Sequence, residues 1–247
     1  MTLLQAILLG IVQGITEFLP ISSSGHLVLG ETLLNLEVAD LKTFDVTVHV
    51  GTLLAILIYF WKDLWDTKRW PWLILGTLPA LLVGVFLEDQ IDAVFRSALA
   101  VGIVMMVIGA MFLIPESWGR KTKDKKLNWW RALLVGSAQA IAIIPGVSRS
   151  GSTIFTGTML GMEREEAARF SFLLGSIAIA GAGLLTAFDL ENAPVEWDIL
   201  LAGLLSSLVA GFFSVKWLMK YLKSHSLRVF GVYLLSIGGL TILFSLG

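Results

Sequence analysis

Along the chain, six stretches are apolar and nearly free of charge: 46–61, 71–87, 97–115, 170–188, 199–215 and 229–247. A bilayer core takes about 20 such residues as helix, so each stretch predicts a spanning helix. Two further apolar segments are interrupted. Residues 3–19 run into PISSSG, and residues 132–144 run into PGVSRSGS. Proline removes a backbone donor and glycine tolerates tight turns, so each break predicts a broken helix with unpaired N–H and C=O groups. Irregular backbone at membrane depth is tolerated only where it is buried in protein or lines a wet cavity. The pattern therefore predicts an all-α polytopic membrane protein of six spanning helices plus two re-entrant helical hairpins.

The two breaks share a register. Gly10, Gln13, Ser22, Ser24 and Gly25 recur as Gly136, Gln139, Ser148, Ser150 and Gly151, all displaced by 126 positions. Gly76 and Gly84 match Gly203 and Gly211 at 127, and Gly102 and Gly109 match Gly231 and Gly238 at 129. A motif echoed at near-constant offset is the mark of an internal repeat. The chain reads as a single membrane domain, 1–247, holding repeat one over about 1–118 and repeat two over about 127–247. Each unit has one hairpin and three spans, an odd number of crossings, so the second copy is expected to be inverted relative to the first.

Charge placement tests that topology independently. Threading the six spans puts 15 of the 18 basic residues on one side, in four groups: Lys62 to Arg69, Arg120 to Arg131, Arg164 with Arg169, and Lys216 to Arg228. The positive-inside rule makes that side cytoplasmic. The opposite loops carry Glu88, Asp89, Asp92, Asp189, Glu191 and Glu196 against only Lys42 and Arg96. The remaining basic residue, Arg149, lies inside the second break. Both termini are expected outside, with the first hairpin entering from the outside and the second from the cytoplasm. Trp61, Trp70, Trp72, Trp129, Trp130 and Trp197 fall at span ends, as interfacial belts do.

Composition agrees with lipid as the solvent. The 247 residues are 56% hydrophobic and 15% charged, with a mean hydropathy of +0.81. A formal net charge of -1 gives no nucleic-acid footprint. The absence of cysteine excludes disulfides, thiol nucleophiles and cysteine metal sites. The first basic residue is Lys42, so the amino-terminal segment lacks a secretory leader's basic start and is expected to belong to the fold.

The chemistry sits at the two breaks. Gln13 and Glu17 are four apart and share a helix face. Ser22, Ser23, Ser24 and His26 fall at the first break or on the next helical turn. The second break supplies Ser148, Arg149, Ser150, Ser152 and Thr153. Arginine suits bidentate recognition of phosphate oxygens, and hydroxyls with free amides at a helix start complete an anion cradle. Two simpler readings stand beside this one. Glu17 and Arg149 could neutralise each other, and the serines could act as caps and packing residues. Asp45 and His49 form another same-face pair, read as interfacial polarity or support for the site.

QGITE at 13–17, SSSGH at 22–26 and PGVSRSGST at 145–153 resemble the motifs of the bacitracin-resistance type of undecaprenyl-diphosphate phosphatase. The resemblance extends over the whole chain in length, span number and motif position. It departs in one respect only, the neutral Gln13 at a position where the family uses Glu or Gln. It implies hydrolysis of undecaprenyl diphosphate to undecaprenyl phosphate and inorganic phosphate, recycling the cell-wall lipid carrier. It further implies a bacterial cytoplasmic-membrane location, a site opening to the periplasmic or outer face, and a divalent cation, Mg2+ or Ca2+. A homodimer is compatible with it. In that chemistry Arg149, with Ser148 and Thr153, would bind diphosphate oxygens, supported by Ser22, Ser24 and Ser150. Glu17 would hold the metal or act as base, with Gln13 as a neutral ligand or positioning group. Ser23, His26 and water are rival nucleophiles, with Ser23 preferred. The rival class is a secondary transporter or flippase for a polyprenyl phosphate lipid, because inverted repeats with broken helices are also a transporter architecture.

Overall fold

A computed structural model describes residues 1–36, 41–95, 97–115, 126–187 and 196–246. Among them the secondary structure is all helix, and the chain divides into two compact units. The first unit comprises Met1–Leu19, Ser23–Trp65 and Ser176–Leu218; the second comprises Pro20–Ser22, Asp66–Gly175 and Met219–Gly247.

In the first unit, α1 (Leu3–Phe18), α2 (Ser23–Leu33), α3 (Lys42–Tyr59) and the short α4 (Trp61–Leu64) follow in order. Thr2 starts α1 with a capping box, accepting from the Gln5 amide while the Gln5 side chain accepts from the Thr2 backbone. The second unit contains α5 (Trp70–Phe95), α6 (Ala98–Phe112), α7 (Trp129–Ile141) and α8 (Arg149–Met159). Helix α9 (Arg164–Ala187) begins in the second unit and ends in the first, while α10 (Trp197–Leu222) does the reverse. Helix α11 (Arg228–Leu246) lies in the second unit and packs on α6.

Among the described residues five helices, α3, α5, α9, α10 and α11, are long and apolar enough to cross a bilayer. The protein is thus a multi-pass membrane protein. On α5, Ile74, Leu78, Leu81, Leu82, Val85 and Phe86 are all exposed, an outward apolar stripe suited to hydrocarbon rather than water. The expected span at 97–115 forms a helix of only 15 residues, started by the Ser97 cap. Pro115 disfavours helical backbone in the residue before it, so the helix stops short of the apolar stretch. Other helices outrun their stretches: α5 continues as helix through 88–95, which the charge pattern assigns to a loop. Trp61, Trp70, Trp129 and Trp197 are each the first residue of a helix and exposed. Arg96, most of the 120–126 basic run, Asp189 and Glu191 lie outside the described residues, as do the side chains of Glu88, Asp89 and Asp92.

Both sequence breaks interrupt helices. A rise of about 1.5 Å per residue makes α1, α2, α7 and α8 roughly 24, 17, 20 and 17 Å long, so none alone spans a core of about 30 Å. At the first break Leu19 takes extended backbone (φ -65°, ψ 140°), as its position before Pro20 requires, and Ser22 is left-handed at φ 71°. At the second, the left-handed residue is Gly146 (φ 93°), where a Cβ would also come within 2.8 Å of the Val101 carbonyl oxygen. Arg131, expected in a cytoplasmic loop, is instead buried in the first turn of α7. It donates to the carbonyls of Leu160 and Lys126, which ties the end of α8 to the start of α7.

The repeated glycines are points of close helix approach. In the first unit a Cβ on Gly10 would lie 2.6 Å from the Gly203 carbonyl oxygen; in the second, one on Gly136 would lie 2.1 Å from that of Gly76. Likewise Gly102 meets Gly238, and Gly109 meets Gly231, on α6 and α11.

Candidate functional site

In the first unit the last turn of α1 and the first turn of α2 build a carboxylate cluster. Gln13 and Glu17 are buried, and Gln13 Nε2 donates to Glu17 Oε2 at 3.0 Å, as their spacing of four on one helix face allows. Ser23, the first residue of α2, donates from Oγ to the same oxygen at 2.8 Å. Hydrogen bonds to an ionised acceptor contribute about 1.5–3 kcal/mol each, which offsets part of the cost of a buried carboxylate. From α3, His49 brings Nε2 to 3.7 Å from that oxygen, while its Nδ1 lies 2.7 Å from the Asp45 carbonyl oxygen. A carbonyl only accepts, so Nδ1 carries the hydrogen and the ring orientation is fixed. His26 is half-buried, three residues beyond Ser23 on α2. Ser24 is exposed and does not join the cluster.

The second unit holds the arginine-bearing tip. Ser148 caps α8, its Oγ accepting from the Gly151 amide at 3.1 Å and lying 3.5 Å from Ser150 Oγ. Ser148, Ser150 and Thr153 are all buried. The Thr153 hydroxyl back-bonds to the Arg149 carbonyl at 2.7 Å and meets Ser171 Oγ of α9 at 2.5 Å, which pins the tip to the next helix. The Arg149 guanidinium nests on Gly175, where a Cβ would fall 1.2 Å from Nη1. Pro20 and Ser22 of the first break belong to this same unit. A Cβ on Gly151 would lie 2.9 Å from Pro20 Cβ and 2.5 Å from Phe112 Cζ, so glycine is what lets the first break lie against the start of α8.

Chemically, a serine hydroxyl bonded to a buried carboxylate has the arrangement of a nucleophile beside a base and can act as one. A capped helix start carrying an arginine is an anion site. The family model for bacitracin resistance protein BacA matches residues 6–240. The chain belongs to that family. Among curated relatives, the undecaprenyl-diphosphatase of Methanosphaera stadtmanae is 43% identical over 273 residues, covering 98% of each chain. That of Pelotomaculum thermopropionicum is 42% identical over 253 residues, covering 96% of this chain and 95% of the relative. That of Desulforudis audaxviator is 38% identical over 249 residues, covering 95% and 94%.

Three contacts around these clusters could not be placed from the sequence. His49 reaches Glu17, a contact in keeping with the second reading of the Asp45/His49 pair, support for the site. The Asp45/His49 spacing marked the pair, but nothing in the sequence said which helix it faced. Ser171 and Gly175 carry no motif at all; their roles arise from the packing of α9 on Thr153 and Arg149.

Proposed function

We propose that this chain hydrolyses undecaprenyl diphosphate to undecaprenyl phosphate and inorganic phosphate. Family membership and the names of full-length relatives support the substrate. The observation that carries the mechanism is the 2.8 Å bond from Ser23 Oγ to Glu17 Oε2. Arg149, with the amides at the start of α8, holds the diphosphate oxygens. Ser23 Oγ attacks the terminal phosphorus and its proton passes to Glu17. The bond from that phosphorus to the bridging oxygen breaks, releasing undecaprenyl phosphate. Water then attacks the phosphoserine, the bond from phosphorus to Ser23 Oγ breaks as Glu17 returns its proton to that oxygen, and dihydrogen phosphate leaves carrying both protons of the water. Gln13 and His49 hold the carboxylate in place between the two steps. This activated hydroxyl favours hydrolysis over transport, because a carrier needs to bind the anion but has no use for a nucleophile paired with a base.

The residues also fit a divalent cation. Gln13 Oε1 is buried with no hydrogen-bond partner among the described residues, and beside the Glu17 carboxylate it offers hard oxygen ligands. No group of three or more His, Asp or Glu capable of holding a metal occurs among the described residues. Glu17, through its carboxylate, and Gln13, through its amide oxygen, would hold such an ion, Mg2+ or Ca2+. When bound, such an ion neutralises charge on the phosphoryl oxygens.

The architecture that serves this chemistry is an inverted repeat with two re-entrant hairpins, α1–α2 and α7–α8. The glycine contacts support it: under the repeat register Gly10 and Gly203 become Gly136 and Gly76, and Gly102 and Gly238 become Gly231 and Gly109. Each contact has its counterpart under the register, as a repeated unit would give. The basic groups support a cytoplasmic side that leaves both termini outside and the site open to the outer face of the cytoplasmic membrane. Phosphate release by the purified protein in detergent, with undecaprenyl diphosphate and Mg2+, tests the activity. Wild-type protein that binds the lipid but releases no phosphate would leave the transporter reading in its place.

A further inference from the structure

Gln139 is 3% exposed, and neither its Nε2 nor its Oε1 has a hydrogen-bond partner among the described residues. Leaving an amide buried and unbonded is costly, and native proteins rarely do so without a reason. The position is informative because of the repeat. Gln139 is the counterpart of Gln13, whose amide donates to Glu17. The counterpart of Glu17 is Ile143, and the counterpart of Ser23 is Arg149. In the first copy an amide and a hydroxyl meet a carboxylate supplied by the chain. In the second copy the amide and a guanidinium occupy the same two register positions, and the chain supplies isoleucine where the anion stands in the first.

We infer that Gln139 is a substrate-binding residue: its Nε2 donates to a phosphate oxygen of the diphosphate held by Arg149, so that the substrate brings the anion that Glu17 supplies to Gln13. The first copy keeps its own carboxylate and becomes the base; the second replaces it with a methyl-rich side chain and receives the anion from outside. A neutral amide serves here better than a second cation, because it donates without trapping the product by charge. The inference rests on the phosphatase reading for the identity of the ligand, and on the repeat for the position of the amide.

Gln139→Leu, close in volume and apolar, separates this role from a structural one, because it removes an amide that has no hydrogen-bond partner among the described residues. With full-length protein in detergent, the melting temperature without substrate should equal or exceed that of the wild type. At the same time kcat/KM for undecaprenyl diphosphate should fall at least tenfold, with KM raised. Gln139→Glu, which sets a negative charge against the phosphate, should fall at least a hundredfold. A Gln139→Leu variant that keeps more than half of the wild-type kcat/KM overturns the inference. So does one that loses activity only in step with a lowered melting temperature. Inorganic diphosphate separates this inference from the phosphatase reading: it should raise the melting temperature of the wild type and not of Gln139→Leu, even if the wild type released no phosphate from the lipid. Equal stabilisation of both proteins, or of neither, would contradict the role.

Discussion

Glu17 Oε2 meets the Gln13 amide, the Ser23 hydroxyl and the His49 imidazole. Removing the base while keeping the shape, as in Glu17→Gln, should lower kcat by at least about 10²-fold, the usual worth of general-base catalysis. Helix content should stay intact, and circular dichroism with phosphate-release kinetics checks both. His49→Ala removes a group that only steadies the carboxylate, so kcat should fall by roughly tenfold with KM nearly unchanged, the signature of a contact used in the reacting complex. A KM effect without a kcat effect would place His49 in lipid binding instead. The Gln13, Glu17 and Ser23 cluster was legible in the sequence, because i,i+4 spacing and proximity to a break are local facts. His49 was not, since it arrives from another helix and its face is chosen by packing. Ser24 shows the reverse limit: it lies in the motif, but its helical position leaves it exposed.

The two broken helices could be read from PISSSG and PGVSRSGS because proline and glycine act on the backbone within one or two residues. What those breaks accomplish depends on contacts that no local pattern carries. Gly175 on α9 shows this most clearly, since a Cβ there would fall on the Arg149 guanidinium. Gly175→Val should displace that side chain and lower kcat/KM by more than tenfold with a small change in melting temperature, because the far end of an arginine moves readily. Gly136→Val meets the Gly76 backbone rather than a side chain. Overpacking of that kind costs about 1–3 kcal/mol or more, so this variant should lose thermal stability and yield before any specific effect on turnover. A thermal melt in detergent compares the two. The apolar run at 97–115 exceeds its helix because Pro115 acts on the residues before it, a rule visible in the sequence that hydropathy alone overrides.

Over the whole molecule, membrane character was the most legible property, since it is written in composition and in long uncharged stretches. The sequence shows a register of glycines and serines, but not which helices that register brings together in space. Each compact unit draws helices from both sequence halves, so that α1 packs near α10 and α5 packs on α7. The orientation rests on charge and is open to direct labelling in this cysteine-free chain. Lys223→Cys, at an exposed side chain, should react with an impermeant maleimide only after the membrane is opened. Reaction in intact cells would invert the topology and move the site to the other face. Above orientation stands the claim that the chain is a phosphatase acting through Ser23 and Glu17. Quenching a single turnover of undecaprenyl diphosphate labelled at its terminal phosphate, then mapping the label, tests it most directly. The expected result is label on Ser23, absent from Ser23→Ala; label on His26, or full turnover with no labelled protein at any time, would contradict it.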